Sequence, residues 1–136
     1  MTDIPIERFM TKSPHTIGVE QTLAAAHRAM AEYGVRHLPV LHGGKLVGIV
    51  SQRDLTFIDS LNGVEPTETL VSEAMATDVY TASARDGVKS IAAQMAQHKY
   101  GSAVIVEAGQ VVGVFTTIDA LRALVGILDA ARPDIE

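Results

Sequence analysis

The stretch G-K-L-V-G-I-V-S-Q-R-D-L, Gly44 to Leu55, returns 65 residues later as G-Q-V-V-G-V-F-T-T-I-D-A, Gly109 to Ala120. Gly44, Val47, Gly48 and Asp54 recur as Gly109, Val112, Gly113 and Asp119, and the hydroxyl of Ser51 recurs as Thr116. Extending that offset outward matches Met10–Leu55 to Met75–Ala120 without a gap and adds Met10/Met75, Thr16/Thr81, Met30/Met95 and Ala31/Ala96. Eight identities in 46 positions are few, but the hydrophobic pattern repeats as well, which marks an internal duplication.

Each copy has the same local grammar. A short extended piece (His15–Val19; Val79–Ala82) precedes a helix whose apolar positions, Leu23, Ala26 and Met30 or Val88, Ile91 and Met95, share one face. A strand follows (Leu38–Leu41; Ala103–Val106), then a glycine-bearing turn, H-G-G-K or E-A-G-Q, and a second strand rich in β-branched residues (Leu46–Val50; Val111–Phe115). A closing helix starts at Ser51 or Thr116. The first is expected to stop at Asn62-Gly63, the second to run to about Ala131 with Leu121, Leu124, Val125 and Leu128 on one stripe and Pro133 ending it. The reading is an α+β fold of two β-α-β-β-α repeats, residues 6–62 and 71–131, joined by a linker at 63–70. A unit of 46 residues is marginal as an independent core, and pairing two of them relieves that.

Bulk properties narrow the function. The 136 residues are 47% hydrophobic and 20% charged, the signature of a globular chain. There is no apolar run of the ~20 residues that span a bilayer and no basic-then-apolar leader, so a cytoplasmic location is expected and no membrane partner. A net charge of -5 with scattered Lys and Arg, and no Trp, argues against nucleic acid. With no cysteine, and with His15, His27, His37, His42 and His98 lacking helical zinc spacing, no metal is expected. Neither a nucleophile elbow nor a phosphate-binding P-loop occurs, so no enzyme and no catalytic cofactor are expected.

In order and twice over, these motifs resemble a tandem pair of CBS domains, named after cystathionine beta-synthase. The carriers are I-E-R-F-M and V-S-E-A-M, the strands L-P-V-L and S-A-V-I-V, the turns with G-K-L-V-G-I-V and G-Q-V-V-G-V-F, and the closing S-Q-R-D-L and T-T-I-D-A-L. The second copy departs from the pattern at Val104, where the first has Pro39. The resemblance implies a regulatory module whose repeats pack about a pseudo-two-fold axis and leave clefts for adenosine compounds (AMP, ADP, ATP or S-adenosylmethionine). It further implies a homodimer.

The closing motif suits such a ligand. The first amides of a helix lack intrahelical partners and favour an anion, and Ser51 or Thr116 adds a hydroxyl. Asp54 and Asp119, three residues on, are acceptors able to take both hydroxyls of a ribose, and the resemblance gives them that role. The same spacing also makes a helix capping box, which needs no ligand. The resemblance places adenine near Thr16-Ile17 and Thr81-Ala82, although Ile17 also reads as core. It lets a basic residue at Arg36-His37 reach phosphate, of a ligand seated on its own repeat or on the other one, and Arg53, next to Asp54, is a further candidate. Met10–Leu55 carries five Lys/Arg against three acids, Met75–Ala120 three against four, so two unequal sites are expected. The function expected is an adenine-nucleotide sensor acting in trans on an unknown protein effector. The alternative is a ligand-free dimerisation or interaction module using Leu121, Leu124 and Leu128.

Overall fold

The strand-turn-strand units form as their glycines demand. In the computed structural model, which describes residues 3–131, β1 is Thr11–Lys12, β2 Ile17–Gly18, β3 His37–His42, β4 Lys45–Ser51, β5 Thr81–Ala82, β6 Ser102–Glu107 and β7 Gln110–Thr116. Helices α1 (Leu23–Tyr33), α2 (Gln52–Asp59), α3 (Val88–His98) and α4 (Thr117–Ala131) alternate with them. His42 faces Lys45, so β3 and β4 are joined by a two-residue turn in which Gly43 and Gly44 both take left-handed φ, 58° and 80°. Ala108 and Gly109 repeat it at 50° and 77°. The strands extend one residue or so beyond the expected ones, whereas the extended pieces before α1 and α3 shorten to β2 and β5.

Two compact units result. One comprises residues 3–12, 80–106 and 112–131, the other residues 13–79 and 107–111. In the second, β2 runs parallel to β3 (Ile17 beside Val40), and β3 antiparallel to β4. Its core joins Leu23, Ala26 and Met30 of α1 to Leu38, Val40, Val50 and Leu55, and takes in Val71. In the first, β5 runs parallel to β6 (Thr81 beside Val104), and the sheet order is β1-β7-β6-β5. Its core joins Val88, Ile91 and Met95 of α3 to Ala103, Ile105 and Phe115, and takes in Ile6.

The lead-in of each sequence copy therefore folds into the body of the other copy. Ile6 donates its amide to Asp86 as Val71 does to Gln21, at 2.7 and 2.8 Å. Thr11 pairs with Val114 as Ala76 bridges to Ile49. Gly48 and Gly113 are the points of closest approach. A Cβ on Gly48 would lie 2.6 Å from Met75 Sδ and 2.8 Å from the Ala76 carbonyl oxygen, and one on Gly113 would lie 2.3 Å from Met10 Sδ. The repeated Met and Gly identities mark these two crossings.

Helix ends follow from local chemistry. Thr22 caps α1, its hydroxyl accepting from the Ala25 amide at 3.1 Å, and Gly34 closes it with φ 65°. The counterpart of Thr22 is Gly87, which has no side chain to cap α3. Instead the Asp3 carboxylate takes the amides of Lys89 and Ser90 at 2.9 and 3.1 Å, in space that a Cβ on Gly87 would fill. Those amide bonds hold the Asp3 carboxyl below its ordinary pKa. Helix α2 ends at Asp59 rather than at Asn62-Gly63: the Ser60 amide is shared between the Thr56 and Phe57 carbonyls, and the Leu61 amide bonds back only three residues to Ile58, so the last turn tightens and the helix stops. Helix α4 reaches Ala131, and Pro133 lies outside the described residues. Its Leu121, Leu124, Val125 and Leu128 are all more than half exposed.

Candidate functional site

Topology gathers the expected residues of the first copy at one end of one sheet. Strands β2 and β3 are parallel and so begin at the same end, and β4, antiparallel to β3, finishes there. Thr16 stands just before β2, Arg36 just before β3, and His37 faces Ser51 in register. The corner is pinned by the Gln52 amide, which donates to the Arg36 carbonyl at 2.9 Å. Thr16, Arg36 and Arg53 are exposed, whereas Ile17 is buried in the core. The second copy repeats the arrangement with Thr81, Ala82, Thr116 and Asp119, and the Thr117 amide donates to the Gly101 carbonyl at 3.3 Å.

Both corners are capping boxes. The Asp54 amide donates to the Ser51 hydroxyl at 3.1 Å, and the Asp54 carboxylate accepts from the Ser51 amide at 2.9 Å through Oδ2. Asp54 is half-buried, and Oδ1 engages no group among the described residues. Asp119 is only 6% exposed. Its Oδ2 accepts from the Thr116 amide at 3.0 Å and the Thr116 hydroxyl at 3.2 Å. The Thr11 hydroxyl donates to Oδ1 and Oδ2 at 3.2 and 3.4 Å, and Arg122 stands 3.9 Å from Oδ1. The capping function is thus present in both copies, and the two carboxylates differ in what else they hold.

Sequence reasoning missed Thr11, which reaches Asp119 from 108 residues away. It also missed the aromatic residue before each Thr. His15 stacks on Tyr33 at 3.5 Å between ring centroids, and Tyr80 on Tyr100 at 5.0 Å. Burial pushes the Tyr80 phenol above its ordinary pKa, with the charge of Asp86 and then Tyr100 adding to it. The identical offset of His15 and Tyr80 was the available signal.

A shallow groove of about 550 Å³ is lined by His27, Met30, Ala31, Gly34, Val35, Arg36 and Gln52. It contains neither Ser51 nor Asp54, and no carboxylate that could take a diol. On its border His27 pairs with Asp59. Among the described residues no group of three His, Asp or Glu could hold a metal ion, and no helix is long and apolar enough to cross a membrane.

The CBS domain family model matches residues 6–59 and 71–126, and the chain belongs to that family. Inosine-5'-monophosphate dehydrogenase of Korarchaeum cryptofilum is 33% identical over 114 residues, 83% of this chain but 23% of the enzyme. The chain thus spans about a quarter of the length of the first curated relatives it matches. A Vibrio cholerae structure assigned to acetoin utilization is 32% identical with a TM-score of 0.86, covering 99% of this chain and 100% of that one. Two further structures share the fold at lower identity. One is the CBS domain pair of protein MJ0100 with 5'-methylthioadenosine and S-adenosyl-L-methionine, 23% identical, TM-score 0.81, covering 93% of this chain and 99% of that one. The other is CBSX2 with AMP, 22% identical, TM-score 0.79, covering 91% and 98%. The fold class is that of CBS domain pairs, a mixed α+β chain whose described residues form four α-helices and two small sheets. The first enzymes among its relatives match this chain over about a quarter of their own length, so the match covers one part of each of those enzymes.

Proposed function

We propose that the protein is a sensor of an adenosine-containing small molecule, AMP, ADP, ATP or S-adenosylmethionine, that regulates a protein effector in trans without itself catalysing a reaction. The observation carrying this reading is the strand-to-helix corner of residues 13–79, where Thr16, Arg36, His37, Ser51 and Asp54 lie at one end of the sheet and one Asp54 oxygen engages no group among the described residues. Asp54 takes a ribose hydroxyl on that oxygen, the start of α2 and the basic Arg36, His37 and Arg53 favour the phosphate, and the backbone at Thr16-Ile17 reads the adenine. Asp119, with Thr116, Thr81 and Ala82, forms the second and weaker site. Family membership and the adenosine ligands of the MJ0100 and CBSX2 structures support the ligand class.

The protein works as a cytoplasmic homodimer, with no nucleic-acid or membrane partner. The exposed apolar residues of α4, Leu121, Leu124, Val125 and Leu128, support self-association. They equally support the second reading, a ligand-free interaction module. Calorimetry and thermal shift with AMP, ADP, ATP and S-adenosylmethionine separate the two. The sensor reading expects a Kd in the range of about μM to mM for at least one compound, weakened by Asp54→Ala. A melting temperature unmoved by all four compounds, in a chain that still associates, leaves the interaction module.

A further inference from the structure

We propose that the Thr11 hydroxyl is a built-in competitor for the Asp119 carboxylate, so that a vicinal diol enters the Asp119 corner only by displacing it, while the Asp54 corner stays open. The inference rests on the ribose reading above and assigns to Thr11 the inequality of the two sites.

The two corners share a backbone plan, which isolates what differs. Thr11 lies on β1 opposite Val114, and the residue at the corresponding place in the other unit is Ala76, bridged to Ile49. A hydroxyl donor is therefore present in one corner and missing from the other at the same backbone position. Thr11 spans both Asp119 oxygens at 3.2 and 3.4 Å. Thr116 already takes Oδ2 twice, through its amide and its hydroxyl. Arg122, 3.9 Å from Oδ1, has Phe57 as its counterpart across the offset of 65, so Asp54 gains no neighbouring cation there. A carboxylate offers about four lone-pair directions. At Asp119 three donors compete for them, the Thr116 amide and hydroxyl on Oδ2 and the Thr11 hydroxyl shared between both oxygens, so at most one direction is left, too few for two ribose hydroxyls. At Asp54 a single amide bond leaves room for both.

A ligand diol at Asp119 must first displace Thr11. Distances of 3.2 and 3.4 Å are long for a hydroxyl donor and mark a weak, shared hydrogen bond, so its removal should tighten binding there by about threefold. The test is a titration of the full chain with AMP followed by the backbone amide signals of Ser51 and Asp54 for one corner, and of Thr116 and Asp119 for the other. In the unmodified chain the first pair saturates at lower AMP than the second. Thr11→Val, which keeps the shape and removes the hydroxyl, lowers the Kd read at Thr116 and Asp119 by that factor and leaves the Ser51 and Asp54 value unchanged. Thr11→Ser, which keeps a hydroxyl, behaves as the parent, and this separates competition from a packing effect. Ala76→Ser raises the Kd read at Ser51 and Asp54. If AMP saturates the first pair while Thr11→Val leaves the second Kd unchanged within about twofold, the competitor role of Thr11 is overturned and the ribose reading survives. If AMP moves neither pair in any variant, the ribose reading falls and takes this inference with it.

Discussion

Replacing Ile6 by alanine should destabilise a part of the chain that lies far from it in sequence. Ile6 is fully buried among Val88, Ile91, Met95, Ala103, Ile105 and Phe115. Removing three buried carbons forfeits about 2.4 kcal/mol at roughly 0.8 kcal/mol per methylene. The void left behind adds up to about 1.5 kcal/mol if the neighbours do not relax, giving a loss of about 2.5–4 kcal/mol. Against a whole-domain stability of about 5–15 kcal/mol that is easily resolved by urea denaturation. Native-state hydrogen exchange locates the loss. Amides of α3, β6 and β7 should lose protection while those of α1 and β3 keep theirs. Val71→Ala, in the other core, should reverse the pattern. A loss below about 1 kcal/mol for Ile6→Ala, or deprotection concentrated in α1 and β3, would refute the assignment of each lead-in to the opposite copy.

The two close-approach glycines should respond unequally. Gly48→Ala meets the Ala76 backbone carbonyl at 2.8 Å and should cost about 1–3 kcal/mol, whereas the three atoms nearest a Cβ on Gly113 all belong to the flexible Met10 side chain, so Gly113→Ala should cost less in the same urea titration. Lys99, which closes α3 with φ 61° where Gly34 closes α1, should gain about 0.5–1 kcal/mol on change to glycine, read as a higher Tm. Asp3 has its pKa lowered in the folded chain by the amides it caps. Its contribution is therefore full above the ordinary carboxylate pKa and is lost as pH falls through the lowered one. The Tm difference between the parent and Asp3→Asn should be present at neutral pH and shrink below about pH 4, and a difference independent of pH would contradict the capping role.

The duplicated grammar of strand, turn, strand and helix was legible because it is local. Gly43-Gly44 permits the turn, Thr22 caps α1, and the apolar spacing of Leu23, Ala26 and Met30 defines a buried face. The exchange of lead-ins was not legible, for a reason internal to duplication. Met10 and Met75 are the same residue, as are Gly48 and Gly113, so contacts within a copy and across copies satisfy the sequence equally well. The candidate site divides along the same line. Ser51 with Asp54 and Thr116 with Asp119 each sit three apart, and their capping geometry follows from that spacing. Thr11 meets Asp119 only through the pairing of β1 with β7, which no local pattern announces. The Asp3 cap of α3 was hidden in the same way, since Gly87 looks like a missing cap until the start of the chain is seen to supply one.

Whether the strand-to-helix corner at Ser51 is a sugar-phosphate seat can be decided by a crystal structure of the full chain grown with AMP. The expected result is a ribose whose vicinal hydroxyls lie within hydrogen-bond distance of the Asp54 carboxylate, with the phosphate at the start of α2. AMP bound elsewhere, with Asp54 still engaged only by Ser51, would contradict it.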